Sequence, residues 1–248
     1  MEMSKLAVVT GGATGIGLEI CRSLSLQGYR VICVYHSSAD AAFKLEGAET
    51  SMGRWLKTVQ MDLESPRSID SGLSLIEANY GSPSILINNA AHTQQVPFLD
   101  ISESDLNRMY EVNLKAPFQL TQSLLPGMIA SGWGRIVNVT SIGGQWGGTK
   151  QIHYAMMKSG LIGLTKSIAK TFSGNGITCN AVAPGLIATK MIAAELPTKE
   201  REEVAKTIPV GRIGEASDVA NVVKFLVSDS ASYLTGQTVN VNGGLYFS

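Results

Sequence analysis

Cysteine is scarce in this chain: Cys21, Cys33 and Cys179 are the only three among 248 residues. They are odd in number, far apart, and each falls in an apolar run. A disulfide framework is therefore excluded, and buried, reduced thiols of a cytoplasmic protein are expected. Histidine is equally sparse, and His36, His92 and His153 show no metal-ligand spacing, so no metal site is expected. No apolar stretch approaches the roughly 20 residues of a membrane helix. The opening MEMSKLAVVTGG lacks a basic segment, a long apolar run and a small-residue cleavage site, so no signal peptide is expected. Net charge is missing as well, because 20 Lys and Arg balance 20 Asp and Glu. Nothing in that balance draws the chain to nucleic acid or to an anionic membrane. Linkers, repeats and low-complexity segments are also lacking, which leaves one domain over residues 1–248.

What is present is an alternation. Hydrophobic residues make up 44% of the chain, enough for one large buried core. Short β-rich runs recur at 6–9, 31–35, 85–87, 135–139, 177–182 and 238–241, with a weaker one at 55–61. Helical patterns stand between them at 15–27, 65–79, 104–130, 152–172 and 215–227. Ser65-Pro66 is a cap followed by proline in the first turn. Continuous apolar strands separated by helices predict a seven-stranded parallel sheet covered on both faces, the doubly wound Rossmann arrangement of α/β proteins. Ligands in such sheets sit outside the carboxyl ends of the strands. The segment 187–209, with Met191, Ile192, Leu196 and a charged helix-like run over 198–206, stands at that edge and reads as a substrate lid.

Directly after the first run comes Thr10-Gly11-Gly12-Ala13-Thr14-Gly15-Ile16-Gly17. Glycines at 11, 15 and 17 allow a tight turn and close approach to a pyrophosphate, and the following helix offers free N–H groups. Glycine spacing alone is a weak signal; its setting between the first strand and the first helix gives it force. The end of the second strand is where a carboxylate holds the ribose hydroxyls of NAD. Here it reads Tyr35-His36-Ser37-Ser38, and Asp40 comes too late. Nothing there repels a 2′-phosphate. His36 and the hydroxyls of Ser37 and Ser38, assisted by Lys44, are suited to accept one, so NADP(H) is the expected cofactor.

Tyr154 and Lys158 stand at i and i+4, on one face of the helix predicted over 152–172. A free tyrosine has a pKa of about 10, and a neighbouring ammonium lowers it by stabilising the phenolate. Such a pair is common on exposed helices, so its weight comes from its company. Ser141 ends the fifth strand, at the sheet edge where a cofactor lies, and can hydrogen-bond a substrate oxygen as charge develops. Asn113 is followed four residues later by Pro117, which has no N–H. The Asn113 carbonyl thereby loses its helical partner and becomes an acceptor for a water leading to Lys158.

Together these residues resemble the short-chain dehydrogenase/reductase family over essentially the whole chain. The likeness takes in the glycine loop, Asp62-Leu63, Asn88-Asn89-Ala90-Ala91, Asn113, Ser141, Tyr154, Lys158, Pro184-Gly185-Leu186-Ile187-Ala188-Thr189 and Asn242-Gly243-Gly244. The resemblance implies that Asn113, Ser141, Tyr154 and Lys158 form a catalytic tetrad. It implies cofactor contacts from Gly11, Thr14, Gly15, Ile16, Gly17, Tyr35, His36, Ser37, Asp62, Leu63, Asn89 and Ala90. At the nicotinamide end it adds Tyr154, Lys158, Pro184, Gly185, Ile187 and Thr189. It also implies a homotetramer built on the helices around Asn113 and Tyr154. Within the family the chain is most similar to 3-oxoacyl thioester reductases, through Gly132-Trp133-Gly134-Arg135-Ile136-Val137, the stretch 207–214 and the ending 240–246. That likeness implies an acyl thioester or ketone substrate, an acyl carrier protein as one carrier, and substrate contacts from Ser141, Gln145 and Tyr154. The chain departs from the pattern at Ala91, at Thr14, and at Ala130-Ser131-Gly132-Trp133, where no basic pair precedes Gly-Arg-Ile. The last departure leaves CoA thioesters open beside carrier-protein ones. A dehydrogenase of another alcohol, sugar or polycyclic ketone, and a non-catalytic cofactor sensor, are the competing readings.

Overall fold

The computed structural model describes residues 4–189 and 198–247. Seven strands, β1 (Leu6–Thr10), β2 (Arg30–Tyr35), β3 (Leu56–Gln60), β4 (Ile85–Asn88), β5 (Gly134–Val139), β6 (Ile177–Pro184) and β7 (Thr238–Val241), form one sheet. All are parallel, in the order β3-β2-β1-β4-β5-β6-β7. The helices are α1 (Gly15–Leu26), α2 (Ala39–Ser51), α3 (Pro66–Tyr80), α4 (Glu103–Tyr110), α5 (Ala116–Ser131), α6 (Gly143–Trp146), α7 (Ile152–Phe172), α8 (Thr198–Thr207) and α9 (Ala216–Leu226).

The strands read as unbroken apolar runs because both of their faces are covered. Along β1, Ala7 and Val9 pack with Ile20 and Leu24 of α1, Leu45 of α2 and Val223 of α9. Leu6 and Val8 pack on the other side with Ile69 and Ile76 of α3 and Leu120 of α5. This period-two division is the doubly wound Rossmann fold, and it places helices on both faces of the sheet. Strand order reverses between β2-β1 and β4, which opens a crevice at the carboxyl ends of β1 and β4. Local signals set the helix starts. Ser65 Oγ accepts from Ser68 N–H, with Pro66 in the first turn of α3. Ser102 and Asp105 form a capping box at α4.

Two segments differ from the sequence-based expectation. The continuous helix predicted over 104–130 is divided: a wide turn over Glu111–Lys115 separates α4 from α5, and the Ala116 N–H bonds the Glu111 carbonyl. Pro117 has no N–H for the Asn113 carbonyl, and the backbone adapts by widening one turn. Helix α2 stands where no element was expected. Its buried residues are only Ala42, Leu45 and Glu49, too narrow a stripe to show as helical periodicity. The predicted lid over 187–209 runs through 190–197, which lie outside the described residues. The segment before that stretch is pinned, since Ala188 N–H donates to the Gly214 carbonyl at 2.8 Å and Gly214 N–H to the Leu186 carbonyl at 2.9 Å.

Candidate active site

A cleft of about 650 Å³ runs along the carboxyl edge of the sheet. Its floor at β1 is the glycine loop. Gly11 and Gly15 adopt φ of 63° and 54°, a region that favours glycine. Gly17 does not line the cleft; a Cβ there would strike the Gly11 carbonyl, so its lack of a side chain lets α1 close on the loop. Asn89 ties the loop to β4, with Nδ2 donating to the Thr10 carbonyl at 2.9 Å and the Gly11 carbonyl at 3.3 Å. Thr10 Oγ1 accepts from the N–H groups of Asn89 and Ala90, both at 3.0 Å. Thr14 precedes α1 without a side-chain cap, so the first N–H groups of that helix are left for a ligand. Gly11, Thr14, Gly15, Ile16, Asn89 and Ala90 all face this space.

At the end of β2 the cleft is lined by Tyr35, His36, Ser37 and Ser38, with Asp62 and Leu63 opposite. His36 Nε2 lies 4.0 Å from Asp62 Oδ1. Lys44, expected to assist with a phosphate, is on α2 and does not line the cleft. Among the described residues that do, the Lys and Arg side chains are Lys158 and Arg108, and Arg108 Nε is bonded to Glu64 Oε1 at 2.8 Å.

Ser141, Tyr154 and Lys158 meet at the other end. Glycine 144 makes this meeting possible: a Cβ on it would lie 2.8 Å from the Lys158 carbonyl carbon, so α6 packs directly on the backbone of α7. Ser141 Oγ accepts from the Gly143 N–H at 3.0 Å, which leaves the hydroxyl proton to be donated elsewhere. Lys158 is fully buried, and its Nζ donates to the Val139 carbonyl at 2.8 Å. The same nitrogen lies 5.5 Å from the centre of the Tyr154 ring. Burial pushes the Lys158 amine down to about 8, which still leaves most of it cationic near neutral pH. A buried polar chain fixes α7 against the sheet, from Asn88 Nδ2 to Asn138 Oδ1 (2.8 Å) and from Asn138 Nδ2 to Thr165 Oγ1 (2.9 Å).

Pro184, Gly185, Ile187 and Thr189 complete the wall near β6. Two other expected residues sit outside it. Asn113 is buried, its Nδ2 committed to the carbonyls of His92 (2.9 Å) and Met109 (3.0 Å). Gln145 points inward from α6, with a buried Oε1, and Trp146 faces the cleft in its place; neighbouring side chains on a helix diverge. Trp146 is half exposed and stands edge-on to Tyr246 at 5.9 Å. His92 and Thr93, which carried no sequence signal, also line this end, together with Gln151 and Leu245. Burial, and then the Arg108 guanidinium, push the His92 imidazole below its ordinary range.

The family model described as Enoyl-(Acyl carrier protein) reductase matches residues 11–246. An acetoacetyl-CoA reductase of Rhizobium meliloti (strain 1021) is 39% identical over 245 residues, which cover 99% of this chain and 100% of the relative. The chain belongs to the short-chain dehydrogenase/reductase family. Another relative in the family, 3-oxoacyl-(acyl-carrier-protein) reductase FabG of Escherichia coli (strain K12), is 38% identical over 242 residues, 98% of this chain and 97% of its own. A Staphylococcus epidermidis reductase of the same name is 37% identical over 244 residues, 98% and 100% of the two chains. This short-chain dehydrogenase/reductase is an oxidoreductase, and the family's reductases use a nicotinamide cofactor. Among the described residues, no helix is long and apolar enough to cross a membrane.

Proposed function

We propose that this protein reduces a 3-oxoacyl thioester to the 3-hydroxyacyl thioester at the expense of NADPH. The observation that carries the reading is that Ser141, Tyr154 and Lys158 line one partly aromatic end of a cleft whose other end is a glycine loop. The relatives named as acetoacetyl-CoA and 3-oxoacyl-(acyl-carrier-protein) reductases support it over the full length. NADPH is favoured because His36, Ser37 and Ser38 stand at the end of β2 with no carboxylate among them.

When bound, the nicotinamide supplies a hydride to C3 of the substrate. The protein's own residues manage the proton and the charge. Tyr154 gives its hydroxyl proton to the ketone oxygen, which becomes the 3-hydroxyl. The Lys158 ammonium stabilises the phenolate left behind. Ser141 donates its hydroxyl proton in a hydrogen bond to the same oxygen as negative charge grows there. The Asn113 carbonyl, released by Pro117, holds a water that leads to Lys158 and restores the Tyr154 proton. The absence of basic residues in Ala130-Ser131-Gly132-Trp133 favours CoA over an acidic carrier protein as the thiol. Exposed Tyr110, Phe118, Ile152 and Met156 supply an apolar face for a homotetramer on the helices flanking Asn113 and Tyr154.

The test is loss of reduced-nicotinamide absorbance with acetoacetyl-CoA, run with NADPH and NADH in parallel. Turnover with NADPH that drops by about 10³-fold in Tyr154→Phe supports the reading. Crotonyl-CoA is the control that the family description calls for: turnover of this enoyl thioester but not of acetoacetyl-CoA would overturn it.

A further inference from the structure

The first turn of α7, which carries Tyr154, has little support from its own sequence. Gln151 stands at its N-cap without a side-chain capping bond, and the first turn holds no acidic residue. Its support comes from a distant segment, residues 93–96. Gln151 Nε2 donates to Thr93 Oγ1 at 3.0 Å, and the Val96 N–H donates to the Lys150 carbonyl at 3.2 Å. His153 Nε2 meets Gln94 Oε1 at 3.4 Å, the longest of the three contacts. Gln94 is anchored in turn, its Nε2 donating to Asp105 Oδ1 at 2.8 Å. The other Asp105 oxygen closes the capping box at the start of α4, taking the Ser102 N–H at 3.1 Å.

The acid at the end of this chain determines how the others face. Ser102 first, and then Gln94, hold the Asp105 carboxyl down to about 2, so it only accepts hydrogen bonds at working pH. Gln94 must therefore turn its amide nitrogen to Asp105 and its carbonyl to His153. His153 must supply the N–H at Nε2, which leaves its Nδ1 buried and without a partner. Neither Gln94 nor His153 lines the cleft, so neither touches substrate. The next residue after His153 is Tyr154, and Thr93 of the same segment lines the cleft wall beside the adjoining His92.

We propose that Gln94 and His153 are positioning residues for proton transfer. They join the capped start of α4 to the first turn of α7 and hold the Tyr154 hydroxyl at the reacting carbonyl. This rests on the reading of Tyr154 as proton donor. A misplacement of about 1 Å at a reacting group lowers rates by about 10²-fold, so a weak clamp on this turn has large leverage on kcat.

The test uses the full chain and three variants. Gln94→Leu and His153→Leu remove the contact while keeping bulk; His153→Gln restores an N–H donor. The leucine variants are expected to lower kcat about ten- to a hundredfold, with KM and the NADPH dissociation constant within about twofold. Their primary isotope effect with 4-deuterated NADPH should rise, because hydrogen transfer then limits turnover. His153→Gln should recover most of kcat. The proposal is overturned if both leucine variants keep kcat within about twofold of the parent. It is equally overturned if kcat falls only together with cofactor affinity and unfolding temperature, with no change in isotope effect and no recovery in His153→Gln. Tyr154→Phe separates the two levels of the argument: if it remains active the proton-donor reading itself fails, whereas an inactive Tyr154→Phe beside fully active leucine variants removes the clamp alone.

Discussion

Replacing Lys158 by methionine should stabilise the ligand-free protein while abolishing its activity. Lys158 is fully buried, and burial alone lowers its amine from 10.5 to about 8. At about 1.36 kcal/mol per pKa unit, holding the cation in that site near neutral pH costs about 3 kcal/mol. Methionine removes this penalty and keeps most of the side-chain volume. Against it stands the Val139 carbonyl, which loses its donor at 2.8 Å, a loss of about 1 kcal/mol. The net gain of about 2 kcal/mol corresponds to a rise in Tm of about 5 °C for a chain of this size. The pH dependence has a definite direction. Below about pH 8 both folded and unfolded chains carry the Lys158 proton, and the gap between variant and parent is constant. Between about 8 and 10.5 the unfolded chain holds the proton and the folded chain does not, so the parent gains stability with rising pH and the gap closes. The assay is thermal unfolding of both proteins without cofactor across that window, read as a difference so that other titrating groups cancel. A variant that melts at or below the parent near neutral pH, or a gap that stays constant up to about pH 10.5, would refute the reasoning.

Gly17→Ala should destabilise the fold by about 1–3 kcal/mol and weaken NADPH binding at least about tenfold, because its Cβ meets the Gly11 carbonyl and, at 2.5 Å, Asn89 Nδ2; a fluorescence titration with NADPH checks it, and unchanged affinity contradicts it. His36→Asp should lower the ratio of NADPH to NADH preference by about a hundredfold, since a carboxylate then faces the 2′-phosphate. Steady-state kinetics with both cofactors measure this, and a preference that stays put removes His36 from the phosphate site. Trp146→Ala should raise KM for acetoacetyl-CoA about tenfold and leave kcat within about twofold, because the half-exposed ring offers binding surface rather than chemistry. A loss confined to kcat would show that the ring acts on the reacting centre instead.

The sheet was legible in the chain because strands buried on both faces need uninterrupted apolar runs, and all seven runs became strands. Helix α7 was equally plain, and its observed span, Ile152–Phe172, coincides with the expected one. Helix α2 escaped because Leu45 and Ala42 make too thin a stripe, and the break at Glu111–Lys115 escaped because proline does not say whether a helix kinks or widens. At the site, Ser141, Tyr154, Lys158 and the glycine loop were readable, since each obeys a local rule: a strand end, an i,i+4 spacing, a strand–turn–helix junction. Local order along the chain thus determined the alternating fold and the residue types at its carboxyl edge.

Only the tertiary structure decided which side chains share a wall. Trp146 rather than Gln145 faces the cleft because α6 lies flat on the Lys158 backbone at Gly144. Gln94 reaches His153 across 59 positions of sequence. Asn113 turns its amide to His92 rather than to the cleft. Such contacts depend on how helices and loops pack across the sheet, and packing joins residues whose separation along the chain carries no periodic signal.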